Sequence, residues 1–314
     1  MTRDRPVLAA FLGIVAFGGV NAIAIHEVVV ELPPLWAMAV RFIAAGVLMA
    51  GLAVALQRPF PRGRSLEGAM AYGVVGFALT FGPVAIGLQH VPGGTATVLI
   101  AITPLLTFIL AVTQRQERFH VQGLLGAVVA LIGIGIVFAE QVQAAVPIGS
   151  LLLILGGAAA ISEGGILLKA IPRSDPFATN AVAMLTGAAV LLAGSFFLGE
   201  LHQVPTRTGT WLGLGYLVVL GSVVLFSLYL YVLQHWTASA VSYTTLLFPL
   251  VGVAVATLLT GERFEPVFFL GGAVLLLGVY IGAFRARPHR TSQTSAPECL
   301  PIDNCSEATT PARP

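Results

Sequence analysis

The chain has 314 residues, 57% of them hydrophobic and only 10% charged, with a mean hydropathy of +0.91. A soluble domain carries roughly 25% charged residues, so this chain cannot cover a water-facing surface, and a net charge of +2 gives no basic field to attract nucleic acid. A soluble dinucleotide-binding enzyme, a nucleic-acid binder and a disordered scaffold are excluded; the chain belongs in a bilayer.

A helix that spans a bilayer needs about 20 predominantly apolar residues. Runs of that kind fall at 6–25, 34–56, 66–88, 92–112, 120–139, 147–169, 176–198, 210–233, 238–259 and 265–284. They predict an all-α polytopic membrane protein with ten transmembrane helices and no separate soluble domain. The first run follows Arg3 and Arg5 and ends near Ala22-Ile23-Ala24, which imitates a signal-peptide cleavage site. Its apolar stretch is longer than a signal core, so it reads as a membrane helix. With the N-terminus inside, thirteen of the sixteen Lys/Arg fall on inner segments, Arg207 and Arg263 fall on outer loops, and Arg41 lies within a span. This positive-inside asymmetry puts both termini in the cytoplasm. The Ser-, Thr- and Pro-rich tail at 285–314 reads as disordered, and its Cys299 and Cys305 stay reduced there. No His or further Cys completes a metal set around them.

The chain also repeats itself. Leu88-Gln89-His90 recurs 145 residues later as Leu233-Gln234-His235, and the same shift puts Pro104 on Pro249, Glu117-Arg118-Phe119 on Glu262-Arg263-Phe264, Gly76 on Gly221 and Phe81 on Phe226. Self-similarity at a fixed offset indicates two related halves, 1–141 and 142–284. Five helices per half is an odd number, so the second copy enters the membrane inverted, an architecture that many secondary transporters share.

Pro-Leu-Trp-x4-Arg-Phe opening helix 2, a Pro-Leu-centred helix 4 and the Gly-Glu-Arg-Phe between helices 9 and 10 resemble the EamA branch of the drug/metabolite transporter superfamily over residues 6–284. The resemblance implies an inner-membrane permease, often an exporter of amino acids, related metabolites or toxic small molecules. Where that family usually carries an aromatic beside a polar residue late in helix 1, this chain has Gly18-Gly19-Val20-Asn21.

The candidate working residues are few. Arg41 lies about 10 Å into helix 2 at 1.5 Å per residue, among Ala37, Met38, Ala44 and Ala45. A small-residue face packs on another helix, so its guanidinium points into the bundle, either as an anchor for a substrate carboxylate or snorkelling to headgroups and loop carbonyls. Glu163 is the one acid well inside a span, about 9 Å from Lys169. It is a candidate for proton coupling or a substrate amine, with a plain structural partnership as the alternative. Pro104 and Pro249 are expected to kink helices 4 and 9 and to free the carbonyls of Ile100 and Thr245. Beside the kinks, Thr97 and the cluster Ser242, Tyr243, Thr244 and Thr245 offer a neutral hydrogen-bonding lining, and Asn21 and Asn180 are secondary candidates. No cofactor or metal is expected, and a membrane enzyme finds no phosphate loop, His-Glu-x-x-His or Gly-x-Ser-x-Gly to work with. The expected partners are a small-molecule substrate and the bilayer, for a monomer or homodimer moving metabolites by alternating access. Drug or lipid efflux through the same fold is the rival reading.

Overall fold

A computed structural model of the chain describes residues 5–91, 96, 99–138, 147–172, 174–260 and 266–285, and among them every regular element is helical. The junction at 139–146, Thr97 and the tail with both cysteines lie outside the described residues. The helices are α1 (Arg5–Val29), α2 (Pro34–Ala55), α3 (Arg64–Leu88), α4 (Thr103–Thr113), α5 (Val121–Phe138), α6 (Ile148–Ala170), α7 (Pro176–Phe197), α8 (Thr208–His235), α9 (Ala238–Ser242 and Thr244–Thr260) and α10 (Pro266–Val279). Six of them, α1, α2, α3, α6, α7 and α8, are long and apolar enough to cross a membrane; the other four are shorter apolar helices.

Local chemistry sets several starts and stops. Pro34 and Pro176 occupy the first turns of α2 and α7, where a missing N–H costs nothing. Asp175 caps α7 by accepting from the Phe177 and Ala178 N–H groups, and Thr237 caps α9 at Ala240. Pro104, expected in mid-helix, instead sits in the first turn of α4 behind a turn at Ala101–Ile102. It frees the Ile100 carbonyl as the sequence implies, and Thr103 Oγ1 takes that carbonyl at 2.5 Å. Pro249 lies inside Thr244–Thr260, but the break in α9 comes earlier, at Tyr243.

Arg58, Arg62, Arg64, Arg115, Arg118 and Lys169 all fall at one end of the bundle, here termed the basic end; Glu27, Glu31 and Glu200 fall at the far end. Packing follows the internal repeat. α2 lies along α7 and α5 along α10, while α1 packs on α8 and α9 as α6 packs on α3 and α4. Exchanging the two halves maps this set of neighbours onto itself. The α5–α10 seam is built on glycine: a Cβ added to Gly126 would stand 2.5 Å from Gly282 Cα, one on Gly133 2.4 Å from Leu275 N, and one on Gly278 2.4 Å from Ala130 N. Backbones approach this closely only where side chains are absent.

Both long helices that form the third element of a half, α3 and α8, contain a π-helical turn, at Gly73–Ala78 and Val219–Val224. Gly76 and Gly221, matched by the repeat, lie in these turns. Wider i→i+5 turns concentrate at functional positions in helices.

At the far end, the loop before α2 is tied to the loop before α8 through Glu31. Its carboxylate accepts from Thr206 Oγ1 and the Thr206 N–H, both at 2.6 Å, and from the Arg207 N–H at 3.2 Å. The Thr206 hydroxyl, with the backbone N–H groups, pushes its pKa down to about 2. A lowered carboxylate pKa stabilises the folded loop fully above the usual glutamate range, and that contribution disappears as pH falls through the folded value. Protection of 203–207 against hydrogen exchange, taken relative to the intrinsic rate, should therefore hold from neutrality down to the ordinary glutamate range and fall progressively from there to about pH 2. Glu31→Gln should show fast exchange at neutral pH; an unchanged exchange rate in that variant would refute the tie.

Candidate functional site

Mid-bundle, the helices enclose a cavity of about 130 Å³. α1 contributes Ile14, Gly18, Asn21, Ala22 and Ile25. α3 contributes Tyr72, Gly76, Thr80, Phe81, Val84 and Leu88, and Ile100 stands beside them. The second half supplies Ile161 and Gly165 from α6, Leu225, Phe226 and Tyr229 from α8, and Thr244, Thr245 and Phe248 from α9. The wall is almost wholly apolar, with a few oxygens set into it, as small-molecule sites commonly are. Phe81 and Phe226, the aromatic pair matched by the repeat, meet edge to face with centroids 6.1 Å apart. The bare face of Gly18 is occupied from across the cavity. A Cβ there would lie 2.3 Å from the Phe248 ring, so α9 supplies an aromatic where α1 carries none.

The predicted polar residues divide into those on this wall and those behind it. Asn21, Thr244 and Thr245 line the cavity, though both hydroxyls are spent on local carbonyls, Thr244 on Val241 and Thr245 on Ser242. Ser242 and Tyr243 do not line it. Ser242 donates to Ser239 O, and Tyr243 donates to Gly123 O at 2.9 Å, pinning the α9 break to α5. The four-residue cluster expected as one lining is therefore split by helical geometry, since consecutive residues face different sides. Pro104 and Pro249 are buried and shape the helices rather than the wall.

Arg41 is fully buried, as its small-residue face predicts, but it stands behind the cavity wall. Nε donates to Ser222 Oγ at 2.9 Å and Nη2 to Gly221 O at 2.8 Å, so the guanidinium clasps the π-helical turn of α8. Its Cζ lies 4.8 Å from the Phe42 ring centroid and 4.9 Å from that of Phe81, within cation–π range. Among the described residues the ion pairs are Arg58–Asp175 and Arg207–Glu27, at the two ends of the bundle, and no carboxylate answers Arg41. Its Nη1 has no hydrogen-bond partner, and neither does Asn21 Oδ1. Both residues flank Gly221: a Cβ on that glycine would lie 2.3 Å from Asn21 Oδ1 and 3.5 Å from Arg41 Nη2, the nitrogen that already donates to Gly221 O. The matching turn in α3 meets α7 differently. A Cβ on Gly73 would stand 2.4 Å from Ala183 O, and Ala183 holds the place in α7 that Arg41 holds in α2, counted from each first-turn proline.

Glu163 lies off the cavity. Its carboxylate accepts from Gln114 Nε2 at 2.7 Å, and Gln116 Nε2 donates to Ile166 O nearby, so both glutamines tie the end of α4 to α6. Lys169, about a turn and a half further along α6, donates to the carbonyls of Leu233 and Trp236. Asn180 is buried and donates to Phe226 O at 3.1 Å, holding α7 to the cavity-lining stretch of α8. The aromatic lining, with Tyr72 and Tyr229, was not singled out from sequence; the matched Phe81/Phe226 pair was the available signal.

The profile of the EamA-like transporter family matches residues 5–139 and again residues 148–283. The chain belongs to the EamA-like transporter family. Among its relatives, the inner membrane transporter YedA of Escherichia coli strain K12 is 26% identical over 282 residues, covering 88% of this chain and 90% of its own. A probable amino-acid metabolite efflux pump of the same organism is 26% identical over 298 residues, covering 91% and 97%. One crystal structure superposes with a TM-score of 0.73 at 15% identity, covering 90% of this chain and 98% of its own, and so shares the fold. This EamA-like protein is thus a polytopic membrane transporter.

Proposed function

We propose that the protein exports small amphipathic metabolites, amino acids or their close relatives, across the inner membrane by alternating access, with the basic end in the cytoplasm. The observation that carries the reading is an apolar midspan cavity beside one buried, half-answered guanidinium and one unpartnered amide oxygen. A planar fork suits a carboxylate, an ammonium or hydroxyl on the adjacent carbon suits Asn21 Oδ1, and an apolar side chain suits the Phe81, Phe226 and Phe248 surfaces. The Phe81 ring stacks on the guanidinium and has to turn aside before substrate reaches it. The relatives' names, an inner membrane transporter and an amino-acid metabolite efflux pump, agree with this chemistry. Among the described residues Glu163 is the carboxylate placed deepest in a spanning helix, and it is the group through which a proton gradient would act.

The test is release of a mixed amino-acid and metabolite panel from proteoliposomes, with and without an imposed pH gradient. Saturable release of a few apolar amino acids supports the reading. Release of lipophilic cations or lipid alone would replace it with the drug or lipid reading, which the apolar wall favours. An unchanged gradient dependence in Glu163→Gln would remove that residue from coupling.

A further inference from the structure

A recess lies at each end of the bundle beyond the central cavity. The far-end recess, an open surface groove of about 470 Å³, is bounded by Val29, Ile86, Gln89 and Glu200, and the basic-end recess, of about 150 Å³, by Leu168, Lys169, Leu230 and Leu233. Just beyond the residues that line the central cavity, a polar contact of similar design joins two helices at each end. At the far end His26 Nδ1–H of α1 donates to Leu88 O, the last residue of α3, at 3.2 Å. At the basic end Lys169 Nζ of α6 donates to Leu233 O, in the last turn of α8, at 2.6 Å, and to Trp236 O at 2.7 Å. Leu88 and Leu233 are mates in the internal repeat, and His26 and Lys169 each lie 21 residues past the first residue of their helix. A cation or strong donor at a helix C-terminus satisfies carbonyls that have no helical partner, so each contact holds the first and third helices of its own half together.

We infer that His26–Leu88 and Lys169–Leu233/Trp236 are the paired gates of the transport cycle, one closing each end of the central cavity. The placement supports this directly. Ile25 and Leu88 line the central cavity at one limit, Gly165 and Tyr229 at the other, and each gate lies within one helical turn beyond. Breaking one contact frees that end alone, and a two-state bundle responds by shifting toward the form open on that side. The inference rests on the transporter reading but not on which substrate is carried.

Accessibility in the absence of substrate tests it. In a Cys299→Ser, Cys305→Ser background, Ala22→Cys places a reporter thiol on the central wall, and a membrane-impermeant maleimide is applied from either face of oriented membranes. Lys169→Met should raise labelling from the basic-end face by about tenfold or more and lower it from the opposite face, as loss of the charge-assisted hydrogen bonds to Leu233 O and Trp236 O predicts. His26→Phe should do the reverse, and Lys169→Arg should keep the wild-type pattern. If Lys169→Met does not fold, His26→Phe alone reads the same expectation at the other end. The inference is overturned if labelling rises equally from both faces, if it does not shift in either variant, or if Lys169→Arg behaves like Lys169→Met. Because no substrate is added, these results are independent of the release panel: an empty panel with side-selective labelling defeats the substrate reading only.

Discussion

Arg41→Met should reduce export of carboxylated substrates by more than about tenfold while moving the melting temperature by no more than about 4 °C. The functional half follows from what the guanidinium offers. A hydrogen bond to a charged group is worth about 1.5–3 kcal/mol, which is ten- to a hundredfold in affinity, and Nη1 is a donor that no atom of the described residues uses. The stability half follows from two opposing costs. Removing a buried charge that no carboxylate among the described residues answers relieves a desolvation penalty of several kcal/mol. Against that, Gly221 O and Ser222 Oγ lose their donor, at about 1–3 kcal/mol each, and the two sides nearly cancel. Arg41→Lys keeps the charge but cannot bridge both acceptors and stack on Phe81 at once, so it should fall between. Transport of decarboxylated analogues, which make no use of the fork, should survive in Arg41→Met. Equal loss for all substrates together with a collapse in melting temperature would show that the residue serves only to hold the α8 turn.

The largest effect on stability is expected at the α5–α10 seam. Gly133→Val puts a branched side chain where Leu275 N is 2.4 Å and Gly271 O 2.8 Å from the first carbon alone. Backbone cannot rotate away as a side-chain tip can, so the helices must separate. Overpacking of this kind costs about 3 kcal/mol or more, enough to lower the yield of folded protein. Gly135→Val, two residues along the same helix and with nothing within 4 Å of its Cβ, should stay within about 0.5 kcal/mol of wild type. Thermal unfolding in detergent compares the pair. Similar melting of both variants would mean that the seam is not close-packed.

The membrane character, the order of the helices and their inverted relation were legible because hydropathy and the 145-residue shift act over many residues at once. Burial of Arg41 was legible from its alanine-lined face, since a charge in a bilayer points away from lipid. Its partners were not, because the carbonyl of Gly221 becomes available only through a π-helical turn, and nothing in Val-Leu-Gly-Ser-Val-Val announces one. The Ser242–Thr245 cluster misled for a related reason. Neighbouring hydroxyls in sequence diverge around a helix, and three of the four satisfy carbonyls within their own turn. Pro104 was placed correctly as a breaker but not as a beginning, since a proline that ends one helix and one that opens the next look alike without their neighbours in space.

Two identical halves in antiparallel orientation would make the two open forms degenerate, each populated equally in a symmetric membrane. Arg41 facing one π-helical turn, where Ala183 faces the other, lifts that degeneracy. If Arg41 anchors the polar end of a substrate, as proposed, that anchor belongs to one half only, and the load keeps a fixed heading through the cycle instead of being passed between equivalent cradles.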